Sequence, residues 1–240
     1  MVNNILENMN YNNIINDLNK LADMKKSKIL GNFFKTWKWE YAEWDKFLWI
    51  NVPNQRDIAD KYIWLWFSDL SKLLDTDIHE YRFTALAILV NKYKKSDEKI
   101  KKSIVDFYID NIRFVNNWDL VDCSCYHILW NYFLDKDRSI LYKFVKSDNL
   151  WERRISVIST FEFIRKLDFK DTLKICEILL YDRHDLIHKA CWWMLREIWK
   201  RDQNTEQKFL DKYYKIMPRT MLRYSIEKFD IKLKDFYMWR

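Results

Sequence analysis

Ile187-His188-Lys189-Ala190-Cys191-Trp192-Trp193-Met194-Leu195-Arg196-Glu197-Ile198 places apolar side chains at 187, 191, 194, 195 and 198. Those offsets of four, seven, eight and eleven residues fall on one stripe of an α-helix. Working outward, the same period recurs. Ile78, Tyr81, Ala85, Ile88 and Leu89 share a face, and Ile100, Ile104 and Phe107 begin another. Short polar breaks separate the periodic runs: Lys95-Ser96-Asp97, Asn116-Asn117, Asp135 through Ser139, Ser147-Asp148-Asn149, Asp182-Arg183-His184 and Arg201 through Thr205. They recur roughly every 15–20 residues, the spacing of ordinary helices joined by tight connections.

Composition agrees. Gly occurs once and Pro twice in 240 residues. A sandwich or barrel needs many Gly- and Pro-containing turns, and a dinucleotide fold or P-loop needs a Gly-rich phosphate loop, so these classes are excluded. The expected fold is all-α. About a dozen helices in about six antiparallel pairs would stack as a HEAT-like superhelix. A compact helical bundle satisfies the same periodicity. One domain is expected over residues 1–240, with the Asn-rich first 25 or so residues giving the least defined helices.

There are 13 Trp, and 42 Lys+Arg stand against 35 Asp+Glu for a formal charge of +7. Most of the indoles must fill gaps between helices. The basic balance suits a polyanionic partner. Four cysteines are too few for a disulfide scaffold. No apolar run reaches the roughly 20 residues of a membrane span, and the first residues lack a signal-peptide pattern. A cytoplasmic, soluble protein is expected.

Three segments have the residue types of a site. In Asn116-Asn117-Trp118-Asp119-Leu120-Val121-Asp122, Asp119 suits a helix N-cap, which would put Asp122 at the third helical position. The plain reading is a capping box answering the helix dipole. The functional one has Trp118 and Asp122 projecting toward a ligand. In Ser147-Asp148-Asn149-Leu150-Trp151-Glu152-Arg153-Arg154, a capping cluster opens a helix with Arg154 in its first turns, solvated or salt-bridged if it has no special role. In Lys189 through Glu197, the adjacent Trp192 and Trp193 point about 100° apart, so at least one lies at the margin of the buried stripe.

Together with Met217-Pro218-Arg219-Thr220-Met221-Leu222-Arg223-Tyr224-Ser225-Ile226-Glu227-Lys228-Phe229, these segments resemble the AlkD-type DNA alkylation repair family in order and spacing. Weaker likeness runs through Trp49 to Arg56 and His79-Glu80-Tyr81-Arg82, so the resemblance covers roughly residues 40–230. It implies a superhelix with a concave basic face that wraps duplex DNA. It also implies excision of N3- and N7-alkylated purines by a monofunctional glycosylase, a monomer with neither metal nor cofactor. By motif, Trp118, Asp122, Arg154 and Trp193 are the implied cleft residues, with Asp122 beside the sugar. Lys189, Arg196, Arg219 and Arg223 are candidate phosphate contacts. Some members carry Trp where this chain has Asn117, and some a small residue where it has Trp192.

Two other patterns are set aside. His184-Asp185-Leu186-Ile187-His188 looks like a zinc-protease helix motif, but its acid is one carbon short and it straddles an expected helix start. Cys123, Cys125 and His127 are too closely spaced for a zinc knuckle and suit core cysteines better. The rival functions are a non-catalytic module that binds damaged or branched DNA and a protein-interaction scaffold.

Overall fold

The computed structural model describes residues 10–23, 25 and 27–239. The opening Asn-rich residues 1–9, where no signal pattern is expected, lie outside the described residues. The described residues form helices and no strand. A single isolated parallel bridge joins Lys46 to Ile78. None of these helices is long and apolar enough to cross a membrane. Contacts divide the chain into two compact units, the first ending at Ile128 and the second beginning at Leu129.

In the first unit, α1 (Tyr11–Lys20), α2 (Ser27–Phe34), α3 (Val52–Lys61), α4 (Phe67–Leu74), α5 (His79–Lys95) and α6 (Glu98–Asp110) precede the start of α7 (Trp118–Phe133). Helix α5 is the hub and packs on α3, α4 and α6. Its burial extends well beyond the stripe seen in the sequence and takes in His79, Glu80 and Arg82 at its start. Those charged groups are tolerated because they are paired. Glu80 accepts from the backbone N–H of Leu48 and Ile50, and Arg82 donates to Asp45 and Asn116. A buried carboxylate or guanidinium without such partners would cost far more than the interior could offset.

In the second unit, α8 (Ser139–Phe144), α9 (Leu150–Ile158), α10 (Phe161–Arg165), α11 (Lys170–Leu179), α12 (Asp185–Trp199), α13 (Gln203–Tyr213), α14 (Arg219–Ser225) and α15 (Ile231–Met238) follow one another. Helix α12 carries the stripe that opened the sequence reading. Ile187, Cys191, Met194, Leu195 and Ile198 are all fully buried. The helix packs on α9, α10, α11, α13 and α14, so it is the core of this unit. Truncating Leu195 to Ala there would cost about 2–5 kcal/mol.

Asn and Asp start many of these helices in place of Gly and Pro signals. Asn10, Asn51, Asp97, Asn149, Asp202 and Asp230 each accept from a backbone N–H of the first turn. Each such cap is worth about 1 kcal/mol. Helix α7 corrects an expectation. It begins at Trp118 and its first bond runs from Val121 N–H to the Asn117 carbonyl, so Asn117, not Asp119, is the cap. The carboxylate of Asp119 is instead engaged by His79, and Asp122 falls at the fifth helical position, two residues later than expected. The solvated reading of Arg154 is also overturned. The residue is 5% exposed and its Nη1 donates to the Leu186 carbonyl, 2.6 Å away.

Candidate active site

The first unit holds a cavity of about 550 Å³. One face of α7 supplies much of its wall: Trp118, Asp119, Asp122, Cys123, Tyr126 and His127 follow the four-residue spacing that aligns side chains along a helix. The opposite face, with Leu120, Val121, Ser124, Cys125 and Ile128, is sealed in the core. Asp122 and Trp118 are both half-buried, so the carboxylate and the indole share one accessible concavity.

Trp118 is seated by an aromatic stack. Its ring lies on Phe34 at 5.4 Å with planes 20° apart, Phe34 lies on Phe47 at 4.9 Å, and Phe33 meets Trp118 edge-on at 6.0 Å. His79 closes the far side of the stack, 4.7 Å from Phe47. Its Nδ1 is 3.1 Å from Asp45 Oδ2 and its Nε2 is 2.8 Å from Asp119 Oδ2. Asn117 adds an Nδ2–H bond to Asp45. The start of α7 is therefore tied to Asp45 through two side chains, one on each side of Trp118.

The electrostatics follow from burial and neighbours. Burial pulls the His79 pKa down, but the carboxylates of Asp119 and Asp45 outweigh it and raise it to about 9. Burial pushes the Asp45 carboxyl up, and the hydrogen bond from His79 with the charge of Arg82 reverses that and lowers it. Burial, helped by the charges of Lys94 and Arg56, lowers His127 to about 4, so it is a neutral imidazole at pH 7. The Cys123 thiol is driven well up by burial and by the carboxylates of Asp119 and Asp122, so it stays protonated. At neutral pH this wall of α7 thus presents acidic side chains among rings and neutral groups. Trp49 and the exposed Arg56 also line the cavity.

Arg154 and Trp193 belong to the second unit, on the packed helices α9 and α12. Trp193 is half-buried with its ring 5.9 Å from Phe161. Trp192 is stacked on Tyr224 at 5.1 Å. Of the candidate phosphate contacts, Lys189 pairs with Asp185 at 2.7 Å and Arg196 with Glu227 at 2.8 Å. Arg219 is exposed and donates to the Met238 carbonyl, and Arg223 is exposed beside the ring of Tyr224. Asn117, one of the two departures from the resembled pattern, is a buried cap and does not line the cavity.

Among the described residues no cluster of three or more His, Cys, Asp or Glu is arranged to hold a metal. His184 Nδ1 accepts from Leu186 N–H and His188 Nε2 meets the Asp182 carbonyl, so both imidazoles serve the start of α12. The sequence reading missed the contributions of Trp49, Phe33, Phe34, Tyr126 and His127 to the cavity. The only signal for Trp49 and Arg56 was the weak likeness of residues 49–56.

The sequence pattern of a family described as DNA alkylation repair enzyme matches residues 14–229. Among solved structures, a protein described as a predicted DNA alkylation repair enzyme from Enterococcus faecalis is similar to this chain at a TM-score of 0.69 and 14% identity. The likeness covers 88% of this chain and 97% of the other, and at that identity it concerns the fold. No curated protein matches the chain.

Proposed function

The chain belongs to the DNA alkylation repair enzyme family, and from that premise we propose that it excises cationic N3- and N7-alkylated purines from duplex DNA as a monofunctional glycosylase. The observation that supports this most is the shared cavity of Asp122 and Trp118 on one face of α7.

The chemistry asks little more of the protein. An alkylated purine already carries positive charge, so it departs without being protonated. As the N-glycosidic bond breaks, its electron pair neutralises the leaving base and positive charge moves to the sugar. Asp122 stabilises that oxocarbenium-like state and orients a water that adds to the anomeric carbon. The water's proton passes to the carboxylate or to solvent, leaving an abasic site and a free base. Trp118 favours the cationic nucleotide through its ring face and excludes bulk water. Arg154 and Trp193 of the second unit are further proposed DNA contacts; to hold a backbone phosphate and thereby the register, the buried Arg154 must first release the Leu186 carbonyl. Lys189, Arg196, Arg219 and Arg223 extend the phosphate footprint. The protein acts as a monomer.

Incubation with duplexes carrying N7-methylguanine or N3-methyladenine tests the proposal. Free methylated base and an abasic site are the expected products. Intact DNA after enzyme in excess would leave a binding module in its place.

A further inference from the structure

We propose that Trp49 is a third aromatic contact for the cationic nucleotide, a specificity-determining residue lining the same cavity as Trp118 and Asp122. The inference rests on the glycosylase reading above and deepens it.

Trp49 has φ 58°, in the left-handed region that a bulky side chain ordinarily avoids. Such a conformation persists only where the surroundings over-determine it, and it collects at ligand-binding positions. Here the surroundings do so on both sides. Leu48 N–H and Ile50 N–H both donate to the buried carboxylate of Glu80, at 3.0 and 3.3 Å. The Leu48 carbonyl accepts from Asp23 N–H at 2.8 Å, and the Ile50 carbonyl accepts from Gln55 Nε2 at 2.6 Å. The flanking side chains of Leu48 and Ile50 are buried, 9% and 4% exposed. The indole between them stays half-exposed and lines the cavity. A Trp kept only for packing would not need a strained backbone to hold it out of the core. The arrangement instead keeps the indole on the wall of the concavity that Asp122 also lines, where a cation is favoured by ring and carboxylate together.

The test exploits the backbone. Glycine adopts positive φ freely, so Trp49→Gly removes the ring while relieving the strain. Its unfolding midpoint and its affinity for undamaged duplex are expected to match wild type. Its single-turnover release of N7-methylguanine should fall roughly threefold to thirtyfold, with Trp49→Phe in between. A second readout compares binding to duplexes carrying a cationic 1-aza-deoxyribose or a neutral tetrahydrofuran abasic analogue. Wild type should prefer the cationic duplex and Trp49→Gly should lose part of that preference. If wild type releases base and Trp49→Gly equals it in both readouts, the Trp49 inference fails alone. If wild type releases no base but the cationic preference is present and depends on Trp49, the glycosylase reading fails and the Trp49 contact stands. Absence of both activities in wild type overturns both.

Discussion

His79 Nε2 lies 2.8 Å from Oδ2 of Asp119, the residue that follows Trp118. With Nδ1 on Asp45, the imidazole is a buried cation held between two carboxylates, beside Arg82 and Asn117 on the same Asp45. The folded pKa, raised to about 9, stands above the usual 6.5. A raised histidine pKa stabilises the fold fully below about pH 6.5, and the contribution is lost as pH climbs through about 9. Urea unfolding at pH 6 and pH 9.5 should therefore show wild type weakening across that window by a few kcal/mol. His79→Gln should be weaker at pH 6 and flatter in the window. An unchanged slope in the variant would mean that another group titrates.

Glu206 on α13 is fully buried, and neither carboxylate oxygen has a hydrogen-bond partner among the described residues. Burial alone raises its pKa to about 9. The sign is the same as for His79, because the folded state again holds the extra proton: the fold is penalised as pH rises above about 4.5, and the penalty stops growing near 9. Glu206→Gln should raise the melting temperature at pH 8 and change it little at pH 4.5, by roughly 2–4 °C for each kcal/mol recovered. A variant that melts lower than wild type at pH 8 would show that the carboxylate has a partner in solution.

The candidate phosphate contacts should separate by how they are already held. Arg223 is exposed beside an aromatic ring, whereas Arg196 is engaged by Glu227. Arg223→Ala is expected to weaken binding to any duplex and to lower the slope of log affinity against log salt by about one. Arg196→Ala should change that slope less, because the guanidinium must first leave its carboxylate. Equal slopes in wild type and Arg223→Ala would take Arg223 out of the footprint.

Much of this was legible in the sequence because helices announce themselves locally. The stripe from Ile187 to Ile198 is the buried face of α12, and the polar breaks at 116–117, 147–149 and 182–184 fall between helices, whereas Lys95 ends α5, Ser139 opens α8 and residues 203–205 lie in α13. The start of α7 was misplaced by two residues, because Asn and Asp both cap well and the choice fell to a distant partner, His79. The burial of Arg154 was hidden for a similar reason: its acceptor is 32 residues away at Leu186. Of the cavity, Trp118 and Asp122 were readable from a four-residue spacing on one helix. Trp49 was not readable as a site residue, since nothing in the order Leu48-Trp49-Ile50 signals a left-handed backbone pinned by Glu80.

In the proposed mechanism the Asp122 carboxylate lowers the barrier to base departure. Single-turnover release of N7-methylguanine by Asp122→Asn, in a preparation whose melting temperature and duplex affinity match wild type, tests it most directly. A fall of roughly a hundredfold to a thousandfold is expected, the usual effect of removing one preorganised electrostatic group. Release at the wild-type rate would contradict it.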